Sequence, residues 1–468
     1  MESPNRNPAS DTQHSSQERA GAMKPFATLP GIPFFSTIIP LSRNALSFFM
    51  RTFDTHGDRV QLRVFSRNVL LLCNPDDIEA VLVNERDSFG RSSEVRNLRP
   101  ILGNGLFASE GELWRSQRRL IQPKFHSSAI QSYASVMLEC VSQRIEGWRP
   151  GDLRNLHLEM MHYTRDVVCR TLFGSKPDVD AMAIAQAVTT VFDDLRSEVL
   201  YLNLWRRLPL PRSICWNRAV KVLDQAISRM ISHRRRARAG TGQSASSSDM
   251  LNVLLDARGE DGTSMSDRQI HDEIMNMFIA GHETSALTLA WAMHLLSTNP
   301  DIQDHAASEV LKVTSNRPLR PEDMPSLRYL SAIVQETLRL YPPLWCIGRY
   351  TIRNTTLSGF PVARGTHIWL CIYRLHRDPR WFSDPEAFQP ERWQDGTSLK
   401  KFTYVPFGVG PRVCIGQHFA MVEIVLGLAA ILSRFRLSSP PGSSVAPEAW
   451  MTLRPKHAVS LRIDARSR

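Results

Sequence analysis

The stretch FGVGPRVCIG, Phe407–Gly416, places one cysteine among three glycines, two residues after an arginine. Glycine allows the backbone to approach a flat ligand closely or to adopt a positive φ. The cation of Arg412 and the positive end of a helix starting just after Cys414 would both favour the thiolate, which is the form that ligates metal. One soft ligand cannot build a tetrahedral zinc site, but it can supply the single axial bond to an iron held in a porphyrin. A buried core cysteine is the alternative interpretation.

The composition is that of a folded globular protein. Of 468 residues, 42% are hydrophobic and 22% are charged. The seven cysteines are widely spaced, without a CxxC pair or a Cys/His cluster at zinc spacing, which argues against a disulfide scaffold and indicates a reducing compartment. The formal net charge of +11 suits nucleic acid, anionic lipid or an acidic protein partner and does not choose among them.

The polar residues 1–22 predict a disordered N-terminal tail, and folded sequence begins at residue 23 and extends to residue 465. The longest apolar stretch, Ile274–Leu296, has the length of a bilayer span. It carries two histidines, an asparagine and a glutamate near its middle, which a lipid-facing helix rarely tolerates. We therefore expect a long buried helix in a soluble protein without a transmembrane anchor.

Helical periodicity dominates from about residue 75 to residue 340, with Asn74 as a helix start. The alternating residues 58–73 predict a hairpin, and residues 349–369 predict further short strands. The basic run RRRAR leads into AGTGQSASSSD, which predicts a flexible surface loop before helix resumes at Met250. The expected fold is one large, mainly α body with small sheets at its periphery.

Five positions of the opening stretch fit the pattern F-x-x-G-x-R-x-C-x-G. This pattern resembles the haem-binding loop of the cytochrome P450 family. The resemblance covers residues 24 to 465 and implies haem b, iron protoporphyrin IX, buried between a long distal helix and the cysteine loop. It implies that Cys414 is the iron ligand. It also assigns cofactor binding to loop residues Phe407, Gly408, Arg412 and Gly416.

The segment AGHETS, residues 280–285, interrupts the long apolar helix with polar residues. One interpretation is a core helix in which Thr284 bonds back to the carbonyl of Ala280. The family pattern A-G-x-D/E-T implies in addition a catalytic role over the distal face of the haem, where Glu283 and Thr284 deliver protons. Ala280 and Gly281 would leave room for O2 and substrate. His282, at the variable position, is expected to pack or to face solvent rather than to bind iron.

The helix segment QETLRLYPP carries Glu336 and Arg339 on one face, at i, i+3 spacing. An ordinary surface ion pair is the alternative, and E-x-x-R alone is a weak pattern. The family pattern adds a later arginine, which Arg392 supplies in PERW. The resemblance implies that these three residues form a buried structural triad that locks the region around the cysteine loop.

The segment ELWRSQRRL places Trp114 and Arg118 on one helix face. A cation–π or surface pair is one interpretation. The resemblance implies instead that this pair binds a haem propionate, because an arginine fork matches a carboxylate. Arg349 and Arg412 are implied as further propionate partners.

The resemblance implies that residues 23–465 form the catalytic domain of a monooxygenase that activates O2 and hydroxylates a lipophilic small molecule. Electrons would come from a separate ferredoxin or flavodoxin, whose acidic surface suits the net charge of +11. We expect a cytoplasmic monomer similar to soluble bacterial members. A fatty acid or a terpenoid is a plausible substrate, because the residues expected to line the pocket are apolar. These residues are Phe89, Leu98, Ile101, Leu106, Phe107, residues 195–205, residues 344–347, Trp450 and Met451.

Two other classes of protein account for parts of the sequence. A haem protein that senses gas or carries electrons would not need the AGHETS segment. A nucleic-acid binder would use RRRAR, but no DNA-binding motif or aromatic interleaving accompanies that run, so we expect no nucleic-acid partner.

Overall fold

The computed structural model describes residues 26–29, 34–64, 67–174, 187, 190–191, 210–241, 249–258, 262–394 and 399–466. The predicted disordered tail, the pocket candidates 195–205 and most of the predicted loop AGTGQSASSSD lie outside these residues.

Helices make up most of the described structure. They are α1 (Ile39–Arg43), α2 (Ala45–His56), α3 (Pro75–Glu79), α4 (Ser93–Asn97), α5 (Arg99–Leu102), α6 (Gly111–Ile121), α7 (Ser127–Ile145), α8 (Leu156–Leu172), α9 (Pro211–Thr241), α10 (Met250–Asp256), α11 (Asp267–Thr298), α12 (Pro300–Thr314), α13 (Arg328–Leu340), α14 (Ile372–Leu375) and α15 (Gln417–Leu432).

The strands of the described ranges form four small sheets. They are β1 (Ala27–Thr28), β2 (Arg59–Val64), β3 (Arg67–Leu72), β4 (Phe89–Arg91), β5 (Leu153–Asn155), β6 (Ile347–Thr351), β7 (Thr355–Leu357), β8 (Phe360–Val362), β9 (His367–Leu370), β10 (Phe435–Ser438), β11 (Pro447–Ala449), β12 (Leu453–Pro455) and β13 (Ser460–Ala465). Strand orders are β1-β2-β3-β9-β6-β4, β10-β13-β5, β11-β12 and β7-β8.

Helix α11 runs through the centre of the helical body. It begins at the N-cap Ser266, whose hydroxyl accepts a hydrogen bond from the backbone N–H of Gln269 at 3.2 Å. It packs against α8, α9, α13 and α15, and nearly all of its apolar side chains are buried. The long buried helix predicted from Ile274–Leu296 is therefore confirmed. None of the helices in the described ranges is long and apolar enough to cross a membrane.

The predicted local structure agrees with the structure at several positions. Strands β2 and β3 pair antiparallel, as expected for a hairpin. Asn74 caps α3 by accepting a hydrogen bond from the N–H of Asp76 at 2.9 Å. Helix resumes at Met250, as predicted after the basic run. The basic run itself lies inside α9, which continues to Thr241.

Candidate active site

The cysteine loop is a tight turn closed by its own backbone. The N–H of Cys414 donates to the carbonyl of Phe407 at 3.0 Å. Gly408 and Gly410 have φ of 70° and 75°, a region that favours glycine. A Cβ on Gly410 would lie 2.2 Å from the carbonyl oxygen of Leu82, so the close approach of the helical segment Ala80–Asn84 requires glycine at this position. A Cβ on Gly416 would make only ordinary contacts, at 3.9 Å from the ring of Phe125 and 4.0 Å from the Cys414 sulfur.

The side chain of Cys414 is exposed, although protein surrounds much of it. Desolvation by that protein raises the pKa of the thiol, while the N–H of Gly416 and the charge of Arg118 oppose the rise. The sequence pointed to Arg412 as the cation favouring thiolate. In the structure Arg118 has that position, because the guanidinium of Arg412 lies over the ring of Trp114, 4.4 Å from its centroid.

Helix α6 therefore contacts the cysteine loop through two side chains. Arg118 donates from Nη1 to the carbonyl of Val413 at 2.9 Å and from Nε to Gln122 at 3.2 Å. Trp114, one turn earlier, contacts Arg412 rather than Arg118. The two predicted propionate residues are thus on one face of α6, as the i, i+4 spacing requires, and both face the loop.

Three arginines come together beside this loop. Arg91 of β4 lies opposite Arg349 of β6 in the antiparallel pair, and Arg412 joins them from the loop. Desolvation lowers the pKa of Arg349 and of Arg412 to about 10, and the charge of Arg412 further lowers that of Arg349. Glu110 is the acidic residue whose charge opposes the shift at all three. Arg91 was not among the residues predicted from the sequence, since an isolated arginine in a short strand belongs to no recognisable pattern.

This cluster has more positive charge than Glu110 neutralises. Arg412 donates from Nη2 to the carbonyl of Ser109 at 3.0 Å, but its buried Nη1 and the buried Nε of Arg91 have no hydrogen-bond partner among the described residues. Buried donors without partners are costly. A ligand that carries carboxylates would accept hydrogen bonds from these donors and balance the positive charge. The residues present therefore fit a haem with its propionates.

The middle of α11 differs from the rest of the helix. Ala280 is exposed and Thr284 is half-buried, whereas most of their neighbours on the helix are buried. The hydroxyl of Thr284 donates to the carbonyl of Ala280 at 2.8 Å, as the alternative interpretation of AGHETS expected. A Cβ on Gly281 would lie 3.1 Å from Val168 of α8, so this glycine serves helix packing. An accessible patch on a core helix is able to face a bound ligand.

His282 is fully buried on another face of α11. Its Nε2 lies 2.8 Å from the carbonyl of Met161, and burial lowers its pKa to about 3. Of the two positions expected from the sequence, in the core or facing solvent, His282 has the first and packs as a neutral side chain.

Glu283 is buried and paired with a residue that sequence reasoning missed. Its Oε1 accepts from Nε of Arg454 at 2.7 Å and from the hydroxyl of Thr452 at 3.1 Å. Both partners belong to the segment around β12, about 170 residues away in sequence. Nothing in LRPK, where Arg454 occurs, predicts this contact.

Glu336, Arg339 and Arg392 meet in the core. Arg339 donates to both carboxylate oxygens of Glu336, at 2.9 and 2.8 Å, and Arg392 donates to Oε1 at 3.0 Å. The side chains of Glu336 and Arg339 are both 0% exposed. Trp393 adds a further bond to Oε2 at 2.8 Å.

The triad is connected to the cysteine loop through His376. Arg339 donates to the carbonyl of His376 at 2.9 Å, and the N–H of Val405 donates to Nε2 of His376 at 2.9 Å. Burial lowers the pKa of His376 to about 3, so the ring stays neutral and can accept this bond. Val405 begins the turn that leads into Phe407, so the triad supports the loop indirectly.

A cavity of about 320 Å³ adjoins the arginine cluster. Several predicted pocket residues line it, namely Phe107, Leu344, Trp345, Cys346, Ile347, Trp450 and Met451, together with Arg91 and Arg349. Phe89, Leu98 and Ile101 are buried in the core, and Leu106 packs against it. These four residues do not line this cavity. Their prediction as pocket residues rested on apolar character, which does not distinguish a pocket wall from the core.

Comparison with known proteins shows the family of the chain. The sequence model of the family described as Cytochrome P450 matches residues 27–461. Cyclooctatin synthase of Streptomyces melanosporofaciens is 36% identical over 433 residues, covering 90% of this chain and 92% of that protein. Cyclooctat-9-en-7-ol 5-monooxygenase of the same organism is 34% identical, covering 89% and 91%. Pentalenene oxygenase of Streptomyces avermitilis is 32% identical, covering 94% and 97%.

This chain therefore belongs to the cytochrome P450 family. Members of the family bind haem through a cysteine thiolate, and the mainly α fold with small sheets predicted from the sequence is confirmed. The protein is a haem-dependent monooxygenase that activates O2 and hydroxylates a lipophilic small molecule, with electrons from a redox partner.

Proposed function

We propose that the thiolate of Cys414 would bind the iron of haem b. Arg118, Arg349 and Arg412, joined by Arg91, would hold its propionates, and Trp114 would support Arg412. The observation that carries this assignment is the buried, partnerless Nη1 of Arg412 in a cluster of arginines beside the cysteine loop. When bound, the haem supplies O2 activation and C–H oxidation. The residues of this chain orient it, exclude water and move protons. Glu336, Arg339 and Arg392 keep the loop in place.

Protons would reach the distal side through Glu283 and Thr284. Thr284 lies on the accessible patch of α11, and its hydroxyl can exchange its bond to Ala280 for one to a bound ligand. Glu283 is the adjacent residue on α11 and would be the acid of this pair, with its buried carboxylate held by Arg454 and Thr452. General acid catalysis of this kind needs a positioned group whose proton can be replaced from solvent.

The substrate we propose is a cyclic terpenoid. The cavity wall combines the aromatic residues Phe107, Trp345 and Trp450 with aliphatic side chains, which suit a rigid hydrocarbon skeleton. Charged residues, among them Arg91, Arg349 and Lys456, also line the cavity and are able to bind a polar substituent of such a skeleton. Two of the relatives have names that state oxidation of a cyclooctat-9-en-7-ol and of pentalenene.

Substrate-induced shifts of the haem absorption band test this proposal. Cyclooctat-9-en-7-ol and pentalenene should bind and give hydroxylated products, and straight-chain fatty acids should bind more weakly. Met451→Trp, which fills the cavity, should weaken terpenoid binding, whereas Ile352→Trp, at an exposed position, should not. Equal affinity of fatty acids and terpenoids would contradict the proposal.

The electron donor we propose is a ferredoxin or flavodoxin that docks on the face formed by α6. Arg115 and Arg119 are exposed there, and Arg118 of the same helix contacts the cysteine loop. An acidic partner is attracted to such a face, and salt weakens the attraction. Arg119→Glu should slow reduction and flatten its salt dependence, while Arg462→Glu, exposed on β13, should leave both unchanged. Salt-insensitive reduction of the unaltered protein would contradict this docking.

We further propose a monomer in the cytoplasm, where such donors occur. Large exposed hydrophobic side chains in the described ranges are scattered over α6, the segment around β5, α8, α9 and the turn after β6. Light scattering after gel filtration should give the mass of one chain.

A further inference from the structure

The hairpin formed by β11 and β12 is joined to the distal helix by a buried ion pair. Arg454 donates to Oε1 of Glu283 from Nε at 2.7 Å and again from Nη2. The Glu283 side chain is buried, at 1% exposure for the residue. The hairpin has a second tie to α11, since Trp291 donates from Nε1 to the carbonyl of Leu453 at 3.2 Å.

The same hairpin forms part of the cavity wall. Trp450 and Met451, which connect its two strands, both line the cavity. Trp345 donates to the carbonyl of Trp450 at 2.8 Å, which joins the hairpin to another cavity residue. The guanidinium of Arg454 lies 5.0 Å from the centroid of the Trp450 ring. Arg454 therefore contacts the acid on one side and a cavity-lining aromatic ring on the other.

The ion pair has a chemical consequence for Glu283. A buried carboxylate is tolerated when a cation and hydrogen bonds compensate its charge, and Arg454 supplies both. Of the two carboxylate oxygens, Oε1 receives the bonds from Arg454 and Thr452, whereas Oε2 has no hydrogen-bond partner among the described residues. The arrangement thus leaves one oxygen able to accept a proton while the other is held.

His157 of α8 is another titratable group whose pKa is affected by the charge of Arg454. Burial and then the charge of Arg454 lower its pKa to about 4. It is therefore neutral near pH 7 and does not compete with Arg454 for the carboxylate.

We propose that Arg454 is a positioning residue for Glu283, and that it makes proton delivery to Thr284 depend on how the β11–β12 hairpin lies against the bound substrate. The inference rests on the proposed role of Glu283. A substrate that displaces Trp450 also displaces Arg454, which contacts the Trp450 ring. The resulting change in the hydrogen bonds from Arg454 to Oε1 alters proton transfer from Glu283 to Thr284.

The first test compares Arg454→Met, Arg454→Lys and the matched control Arg462→Met, an exposed arginine on β13. With the best-binding compound of the titrations above, Arg454→Met should lower product formation by about 10²-fold, the lower end of the range for a positioned acid. Electrons should then appear as hydrogen peroxide. Lysine should restore most of the product, and Arg462→Met should behave as the unaltered protein.

The second test measures stability rather than turnover. Without Arg454, Glu283 becomes a buried carboxylate without its cation, and its folded-state pKa rises above the unfolded value. The folded state then holds a proton that the unfolded state releases, so stability falls as the pH rises. The loss of thermal stability in Arg454→Met should be larger at about pH 8 than at about pH 5. Adding Glu283→Gln should abolish that difference.

The outcomes separate the inference from the function on which it rests. If Glu283→Gln alone leaves the yield of product per electron unchanged, the proposed role of Glu283 fails. If Glu283→Gln lowers the yield but Arg454→Met does not, or if the stability loss is independent of pH, the inference about Arg454 is wrong. Should Arg454→Met not fold, Thr452→Val removes the other bond to Oε1 and should shift yield and pH dependence in the same directions. No shift in that variant overturns the inference.

Discussion

Arg118 donates a hydrogen bond to the carbonyl oxygen of Val413 at 2.9 Å, which joins α6 to the residue immediately before Cys414. The contact brings the guanidinium close to the Cys414 thiol. Burial raises the pKa of this thiol, and the positive charge of Arg118 acts against that rise. A single side chain thus serves the loop backbone and the charge on the sulfur.

Arg118→Ala should weaken retention of haem. Loss of a hydrogen bond from a charged group corresponds to about 10- to 100-fold in affinity. Transfer of haem to an acceptor apoprotein measures the change. Arg115→Ala, an exposed arginine on the same helix, is the control and should lose haem at the original rate. Equal rates in both variants would remove Arg118 from the haem site.

Cys414→His should abolish the spectrum of a thiolate-bound iron. The reduced, CO-bound protein should show a strongly red-shifted Soret band, because thiolate donates electron density to the iron. The variant should lose that shift. Cys215→Ser, which alters an exposed cysteine on α9, should keep it. A histidine-type band in the unaltered protein would refute ligation by Cys414.

Thr284→Ala should separate electron consumption from product formation. Without the hydroxyl, protons reach the distal side less well, and reducing equivalents are released as peroxide. The ratio of product to electrons consumed measures this. Thr288→Ala is a matched control, since Thr288 makes the same kind of bond one turn later, to the carbonyl of Thr284 at 2.9 Å. An unchanged ratio in Thr284→Ala would exclude it from the proton path.

Glu336→Gln should destabilise the fold by about 3–5 kcal/mol, because it leaves Arg339 and Arg392 buried without their anion. Denaturant unfolding of the haem-loaded protein measures the change. Glu112→Gln, which breaks an exposed pair with Arg115, should cost at most about 1 kcal/mol. Equal effects of the two substitutions would mean that the triad is an ordinary ion pair.

Glu423→Gln should make the protein more stable near neutral pH. Glu423 is fully buried in α15, and desolvation raises its pKa to about 8. The unfolded state loses its proton at much lower pH, so rising pH destabilises the fold by up to about 1.4 kcal/mol per unit between the two pKa values. The advantage of the variant should grow from about pH 5 to about pH 8 and should be absent in the exposed control Glu322→Gln. A pH-independent difference would contradict the buried, protonated state.

Several features could be predicted because their causes are local. The hairpin β2–β3, the Asn74 cap and the polar interruption of α11 follow from patterns within a few residues. The loop around Cys414 could be assigned because its glycines and cysteine occur at fixed spacing. The sequence suggested that the glycines of this loop allow close approach of a flat ligand or a positive φ. The structure adds another reason for Gly410, whose missing side chain makes room for the carbonyl of Leu82.

The sequence by itself determined the class of fold, the family pattern and the identity of the cysteine expected to bind iron. Tertiary structure alone decided which charges meet. Strand pairing places Arg91 opposite Arg349. Arg412 lies over the ring of Trp114, so Arg118 is the cation near the Cys414 sulfur. Arg454 forms an ion pair with Glu283 from a hairpin that is distant in sequence. The physical reason is that an arginine has a long side chain whose partner depends on which elements pack nearby, whereas helix periodicity and turn geometry depend on neighbours along the chain.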